Sequence, residues 1–199
     1  MIVIFGSEGQ VGKELDFSQL GLGEVVKFDI AINSKMDYTD YNAVLEFLKK
    51  YTPDCVINFG GFGSPIKCKD NNFDGFFNTH VISTFNICKA IQELNKKILY
   101  IHISSLSVYG IELGHISRRP EYGEVYIKEI EYLNSCWYMS SKIMSEQIAK
   151  QFAVTFPTLI LRLASFKADY RGGMSTPDKI IDTISQNLKI KGLKIIDVE

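Results

Sequence analysis

Cysteine is scarce and scattered in this chain: Cys55, Cys68, Cys88 and Cys136 stand far apart, with no C-x-x-C pair among them. That spacing offers neither a disulfide frame nor a zinc site, so buried, reduced thiols are expected. Histidine is also sparse, and His80, His102 and His115 lack metal-ligand spacing; no metal centre is expected. There is no G-x-S-x-G of a hydrolase. Charge of one sign is not in excess, since 22 basic and 23 acidic residues leave a net charge of -1. Nothing here gathers nucleic acid or an anionic membrane surface. No apolar run approaches the roughly 18 residues of a spanning helix, and the opening MIVIF meets Gly6 and Glu8 too soon to form a secretory signal. A cytoplasmic setting is expected, with no nucleic-acid or membrane partner.

What is present is alternation. Short β-branched runs occur at IVIF (2–5), EVVKFDI (24–30), CVINF (55–59), ILYIHIS (98–104), TLILRL (158–163) and KIIDV (194–198), each the length of a buried strand. Helical patterns lie between them at 10–20, 40–50, 74–95, 137–153 and 176–189. Thr39 is placed to cap the second, and Thr176 with Pro177 opens the last. Such alternation predicts an α/β fold with a doubly wound parallel sheet covered on both faces. With 199 residues, 46% of them hydrophobic, the chain can fill one core. The one long irregular stretch, 110–136, reads as a functional loop or an insertion.

GSEGQVG (6–12) follows the first predicted strand and opens the first predicted helix, the setting a dinucleotide cradle requires. Gly6 allows the tight turn, Gly9 lets backbone approach a pyrophosphate, and Gly12 lets the helix pack on the sheet, with Gln10 and Val11 between them. The helix N-terminus would offer N–H groups to the anion. Asp29 ends the second strand 23 residues beyond Gly6. A carboxylate there accepts from the adenosine ribose and repels a 2′-phosphate, which favours NAD; the alternative is a solvated turn aspartate. Ser34 and Lys35 close by would suit a phosphate, so NADP stays possible.

The ordered set GSEGQVG, MDYTD (36–40), VINFGG (56–61), HISSLSVYG (102–110) and YMSSKIMSE (138–146) resembles the extended short-chain dehydrogenase/reductases that modify nucleotide sugars, over about residues 1–165. FGSEGQVGKEL is similar to dTDP-4-dehydrorhamnose reductases and SSLSVYG to sugar-nucleotide epimerases, which leaves the subgroup open. The resemblance implies a Rossmann-like dinucleotide domain over 1–165 and, over 166–199, only the start of a C-terminal substrate-binding lobe. It further implies that Asp37 and the Tyr38 backbone approach the adenine, that Gly60 and Gly61 pass beneath the adenosine half, and that Asn78 orders the active-site helix or its waters. Asp37 as a turn or capping residue and Asn78 as a polar helix-face residue are the plain alternatives. Ser105, four before Tyr109, matches the catalytic Ser/Thr; Ser104 points to the other face.

The same resemblance gives Tyr138 and Lys142, with Ser141 and Glu146, the Y-x-x-S-K-x-x-x-E run. A tyrosine ionises near pH 10, so a base working near neutrality needs a shift of about three units, roughly 4 kcal/mol. Lys142 lies one helical turn away on the same face and would supply the cation while holding the nicotinamide ribose. Leu106 and Ser107 replace the acidic pair of the related dehydratases, which disfavours elimination. Arg118 and Arg119 either grip a substrate diphosphate or are solvated. Arg162 is expected to satisfy loop carbonyls and His102 to be structural. The implied activity is an NAD(P)-dependent oxidoreductase or epimerase acting on a nucleotide-linked sugar, as a homodimer through segments 74–95 and 137–153, with Phe76, Phe77 and Trp137 exposed there. The alternative is a dinucleotide-binding module without turnover, favoured by the early stop.

Overall fold

Six strands form one parallel sheet in the order β2-β1-β3-β4-β5-β6: β1 Ile2–Phe5, β2 Val25–Phe28, β3 Cys55–Asn58, β4 Leu99–Ser105, β5 Thr158–Leu163 and β6 Leu193–Val198. The computed structural model describes residues 1–61, 73–109, 137–164 and 176–198; the 110–136 stretch, Arg118, Arg119, His115, Cys68 and Cys136 lie outside them. The chain winds outward from β1 to β2, then crosses back to β3, so the direction of winding reverses between β1 and β3. That crevice at the strand C-termini is where doubly wound sheets take ligands. The expected architecture is therefore present.

Each face of the sheet has its own core. On one side Ile2, Ile4, Ile57, Ile101, Ile103, Leu159 and Leu161 pack under Leu15, Phe17 and Leu20 and under helix α5 (Pro177–Asn187). On the other, Val3, Phe5, Val56, Tyr100 and Ile160 meet α1 (Tyr41–Tyr51), α3 (Ser83–Glu93) and α4 (Trp137–Phe152), through Val44, Leu48, Ile87, Ile91 and Ala149. Strands buried on both faces read as continuous apolar runs, which made them visible in the sequence. Residues from 176 onward add α5 and β6 to this same sheet.

Three local expectations are corrected. The helix expected over 10–20 is two short 3-10 turns, Gly12–Glu14 and Phe17–Leu20. Asp16 accepts from the Ser18 N–H at 3.1 Å and its hydroxyl at 2.6 Å, offering the backbone an alternative to a continuous helix. The cap of α1 is Asp40, whose carboxylate accepts from the Asn42 and Ala43 amides, while the Thr39 hydroxyl donates to Asp37. The long helix near 74–95 is α2 (Phe73–Phe76), a wide π turn over Phe77–Ile82, and α3. Thr176 caps α5 as expected, accepting from the Lys179 amide. Cys55 and Cys88 are free and buried. Burial raises the Cys55 thiol to about 12 and the Cys88 thiol further, so neither is a reactive thiolate.

Candidate active site

The glycine turn closes on the end of β3. Gly6 has φ 73°, and a Cβ there would stand 2.6 Å from the Gly60 nitrogen, so glycine is required twice over. At Gly12 a Cβ would meet the Gly6 carbonyl oxygen at 2.7 Å. Gly9 differs: its Cβ would meet the same oxygen at 3.2 Å, with nothing else among the described residues within 4 Å. The fold holds Gly6 and Gly12 for its own packing, and Gly9 faces open space. Gln10 is exposed and Val11 packs beneath the turn. Because a three-residue 3-10 turn follows, no multi-turn helix dipole points at this space, and support for an anion falls to loop amides.

Asp29 fastens the turn. It is buried, and its carboxylate accepts from the Glu8 amide at 3.0 Å and the Ala31 amide at 2.9 Å. Glu8 in turn pairs with Lys27 at 3.0 Å. Past the turn, a cleft of about 300 Å³ is lined by Ile30, Met36, Asp37, Tyr38, Asn78 and Thr79, among others. Asp37 both lines it and accepts from the Thr39 amide and hydroxyl, so the capping-turn role and the cleft role coexist. The Tyr38 ring lies against Gly60, and burial pushes its phenol up to about 12. Asn58 Oδ1 accepts from the Gly60 amide at 2.8 Å. Asn78 is exposed at the rim of this cleft.

At the far side, α4 lies along β4. The Lys142 ammonium is buried and donates to the Ile103 carbonyl at 3.1 Å, two residues before Ser105 at the strand end. Burial lowers the Lys142 pKa to about 8 against the opposing pull of Glu146; it is mostly cationic at neutral pH. Ser105 is half-buried and accepts from the Ser107 amide. His102 reaches α4, which puts Ser104, two residues on, on that same face and Ser105 on the other. The Tyr138 ring stands edge-on to His80 at 5.5 Å and to Phe76 at 6.1 Å. Phe76, expected at the surface, is fully buried.

Two buried histidines, one of them missed by sequence reasoning, grip this helix. His80 Nδ1 lies 2.7 Å from Ser141 Oγ, which donates to the Tyr138 carbonyl at 2.9 Å. One turn on, His102 Nε2 lies 3.0 Å from Ser145 Oγ, which donates to the Lys142 carbonyl at 2.9 Å. The backbone at both candidate reacting residues is thus tied to a serine and through it to an imidazole. Burial holds both rings neutral, His80 well below the usual histidine range and His102 at about 3, with the Lys142 charge adding to each. In the sequence His80 directly follows two other polar residues, Asn78 and Thr79, and no local pattern marks it.

Arg162 has partners that its sequence did not indicate. Among the described residues it forks onto Glu146, with bonds of 2.9 and 2.8 Å, and donates to the Tyr109 hydroxyl at 2.6 Å; the loops whose carbonyls it was expected to meet lie outside them. That hydroxyl donates to Asp197 of β6. Among the described residues no three His, Cys, Asp or Glu side chains could hold a metal, and no helix is long and apolar enough to cross a membrane.

A family model described as the NAD dependent epimerase/dehydratase family matches residues 2–197. The chain belongs to that family. No curated protein matches it. Among solved structures it is similar to a dTDP-4-dehydrorhamnose reductase from Clostridium acetobutylicum, with TM-score 0.76 and 18% identity over 98% of this chain and 72% of that one. A dTDP-4-dehydrorhamnose reductase from Bacillus anthracis in complex with NADP gives 0.74 and 17%, over 100% and 74%. MoeE5 in complex with UDP-glucose and NAD gives 0.74 and 16%, over 99% and 75%. At such identities these matches speak for the fold. A nicotinamide dinucleotide is the family's cofactor, and relatives are seen with either form.

Proposed function

We propose that this family member is an NAD(P)-dependent oxidoreductase or epimerase acting on a hydroxyl or keto group of a nucleotide-linked sugar, with Ser105, Tyr138 and Lys142 as its reacting set. The observation that carries this reading is the Lys142 ammonium, drawn by the Ile103 carbonyl to the end of β4 beside Gly61 and one helical turn from Tyr138. The residues present fit the cofactor, since Gly9 and the Asp29 turn leave backbone open to a pyrophosphate while Asp37, Tyr38 and Asn78 border a cleft of about 300 Å³. When bound, the dinucleotide supplies the hydride acceptor or donor.

The chain's own part is the proton. The Lys142 charge favours the Tyr138 phenolate, which takes the proton of a sugar hydroxyl or returns it to a ketone. Ser105, accepting from the Ser107 amide, has its own hydroxyl proton to give to the reacting oxygen. Lys142 and Gly60–Gly61 would hold the ribose and adenosine side, and Asp29 the adenosine ribose, with NAD preferred. Arg118 and Arg119 are the candidates for the substrate diphosphate. Leu106 and Ser107, where an acidic pair would promote elimination, direct the reading to reduction or epimerisation.

One measurement tests the binding half. Gly9→Val places a side chain in the open space of the turn, so NAD(H) binding followed by fluorescence should fall beyond detection while circular dichroism stays unchanged. A folded variant with the wild-type Kd would refute the cradle. We also propose a homodimer through segments 74–95 and 137–153, where Phe85 and Met144 are exposed and Phe77 and Trp137 flank Phe73 of α2. Light scattering at tens of micromolar, on the order of assay concentrations, should give twice the chain mass; a monomer would count against it.

A further inference from the structure

We infer that His80 is a positioning residue that works as the neutral Nδ1–H tautomer, anchored on Ser141 and turning a bare Nε2 toward the space at Gly61 that the Lys142 ammonium also borders. A serine hydroxyl has one proton to give. Ser141 spends it on the Tyr138 carbonyl at 2.9 Å. The 2.7 Å contact with His80 must then carry the proton of Nδ1, which leaves Nε2 as the acceptor. A second, independent argument agrees. A Cβ on Gly61 would stand 2.6 Å from His80 Nε2 and 3.6 Å from Lys142 Nζ, so both nitrogens face one small space. An N–H directed there would oppose the ammonium, whereas a lone pair attracts it.

Several described groups face His80. Phe76 lies below it on its own helix, Ser141, Tyr138 and Lys142 come from α4, His102 acts from β4, and Gly61 lies beyond β3. His102 is its mirror. Ser145 gives its proton to the Lys142 carbonyl, so His102 donates from Nε2 and accepts at Nδ1 from the Tyr100 hydroxyl 3.2 Å away. Lys142 is thereby held at its backbone by one imidazole and addressed at its ammonium by the other, while the Tyr138 ring stands against His80.

Nitrogen-15 NMR of the uniformly labelled full chain at pH 7 reads this without any turnover. The expected result is two neutral imidazoles of opposite tautomer, His80 protonated at Nδ1 and His102 at Nε2. A protonated Nε2 on His80, or an imidazolium, overturns the inference. In His80→Phe the ¹³Cε titration of Lys142 should move below its wild-type value, and an unchanged titration also overturns it. Ser141→Ala removes the anchor but keeps the ring, and should convert His80 partly to the Nε2–H form; retention of Nδ1–H would sink the anchoring step. The kinetic consequence rests on the proposed function: kcat should fall about tenfold in His80→Phe with the KM for the dinucleotide kept. If the wild type shows no turnover while the tautomers are as stated, the proposed function fails and this inference stands.

Discussion

Tyr138→Phe is expected to lower turnover at least about 100-fold while leaving cofactor affinity nearly unchanged, because the ring and its edge contacts with His80 and Phe76 remain and only the proton-carrying hydroxyl is lost. Lys142→Met should damage both properties. It removes the cation that favours the phenolate and the ammonium that would hold the ribose, so residual activity should peak at higher pH than in wild type. A panel of UDP- and dTDP-linked sugars and 4-keto sugars with NAD(H) and NADP(H), products identified by mass and NMR, gives the activity to be compared. If the wild type binds NAD(H) yet converts none of them, and Tyr138→Phe behaves identically, the chain is a dinucleotide-binding module.

The largest stability effect is expected at Glu146. Its side chain is 1% exposed and that of Arg162 3%, and the fork between them joins α4 to β5. Glu146→Ala strands a buried guanidinium, which costs about 3–5 kcal/mol; urea unfolding should show the loss as a lower midpoint. A change below about 1 kcal/mol would mean that Tyr109 and Asp197 absorb the charge. Burial alone would raise the Glu146 pKa, but the hydrogen bonds and charge of Arg162 hold it below the usual carboxylate value. Its contribution is therefore fully present above the ordinary carboxylate range and is lost as pH falls through the depressed folded value. In Glu146→Ala that acid-side decline should be shallower than in wild type.

How much of this was legible in the chain depends on whether one side chain or many carried the signal. The six strands were readable because burial on both faces demands uninterrupted apolar runs, and the glycine turn because Gly6 and Gly12 have no steric alternative. The Tyr138–Lys142 pair was readable from helical spacing. Residues 10–20 misled because the Asp16 side chain, accepting from the Ser18 amide and hydroxyl, redirects the backbone where the apolar spacing looked helical. The Arg162–Glu146 fork was not legible for a different reason: the partner lies 16 residues away on another element, and no local pattern marks which strand arginine meets which helix carboxylate. His80 escaped because its role exists only where α4 is docked against the helix that carries it.

The π turn of Phe77–Ile82 has a consequence for changes of chain length. Its Ser83 amide bonds to Asn78, one residue further back than in an α-helix, and the Thr79 and Ser83 hydroxyls bond to Gly75 and Thr79 carbonyls across the widened turn. Such a turn is an α-helix carrying one extra residue. Deleting one residue between 77 and 82 would let the backbone close into regular helix, which by itself is the better-bonded form. The segments on either side would keep nearly their present directions, because the widened turn already absorbs the extra residue; what would go is the bulge itself, the stretch that carries His80 to Ser141. At this point in the fold an insertion is built into the site, and a shortened helix would be locally regular but would lack the widened turn that carries His80.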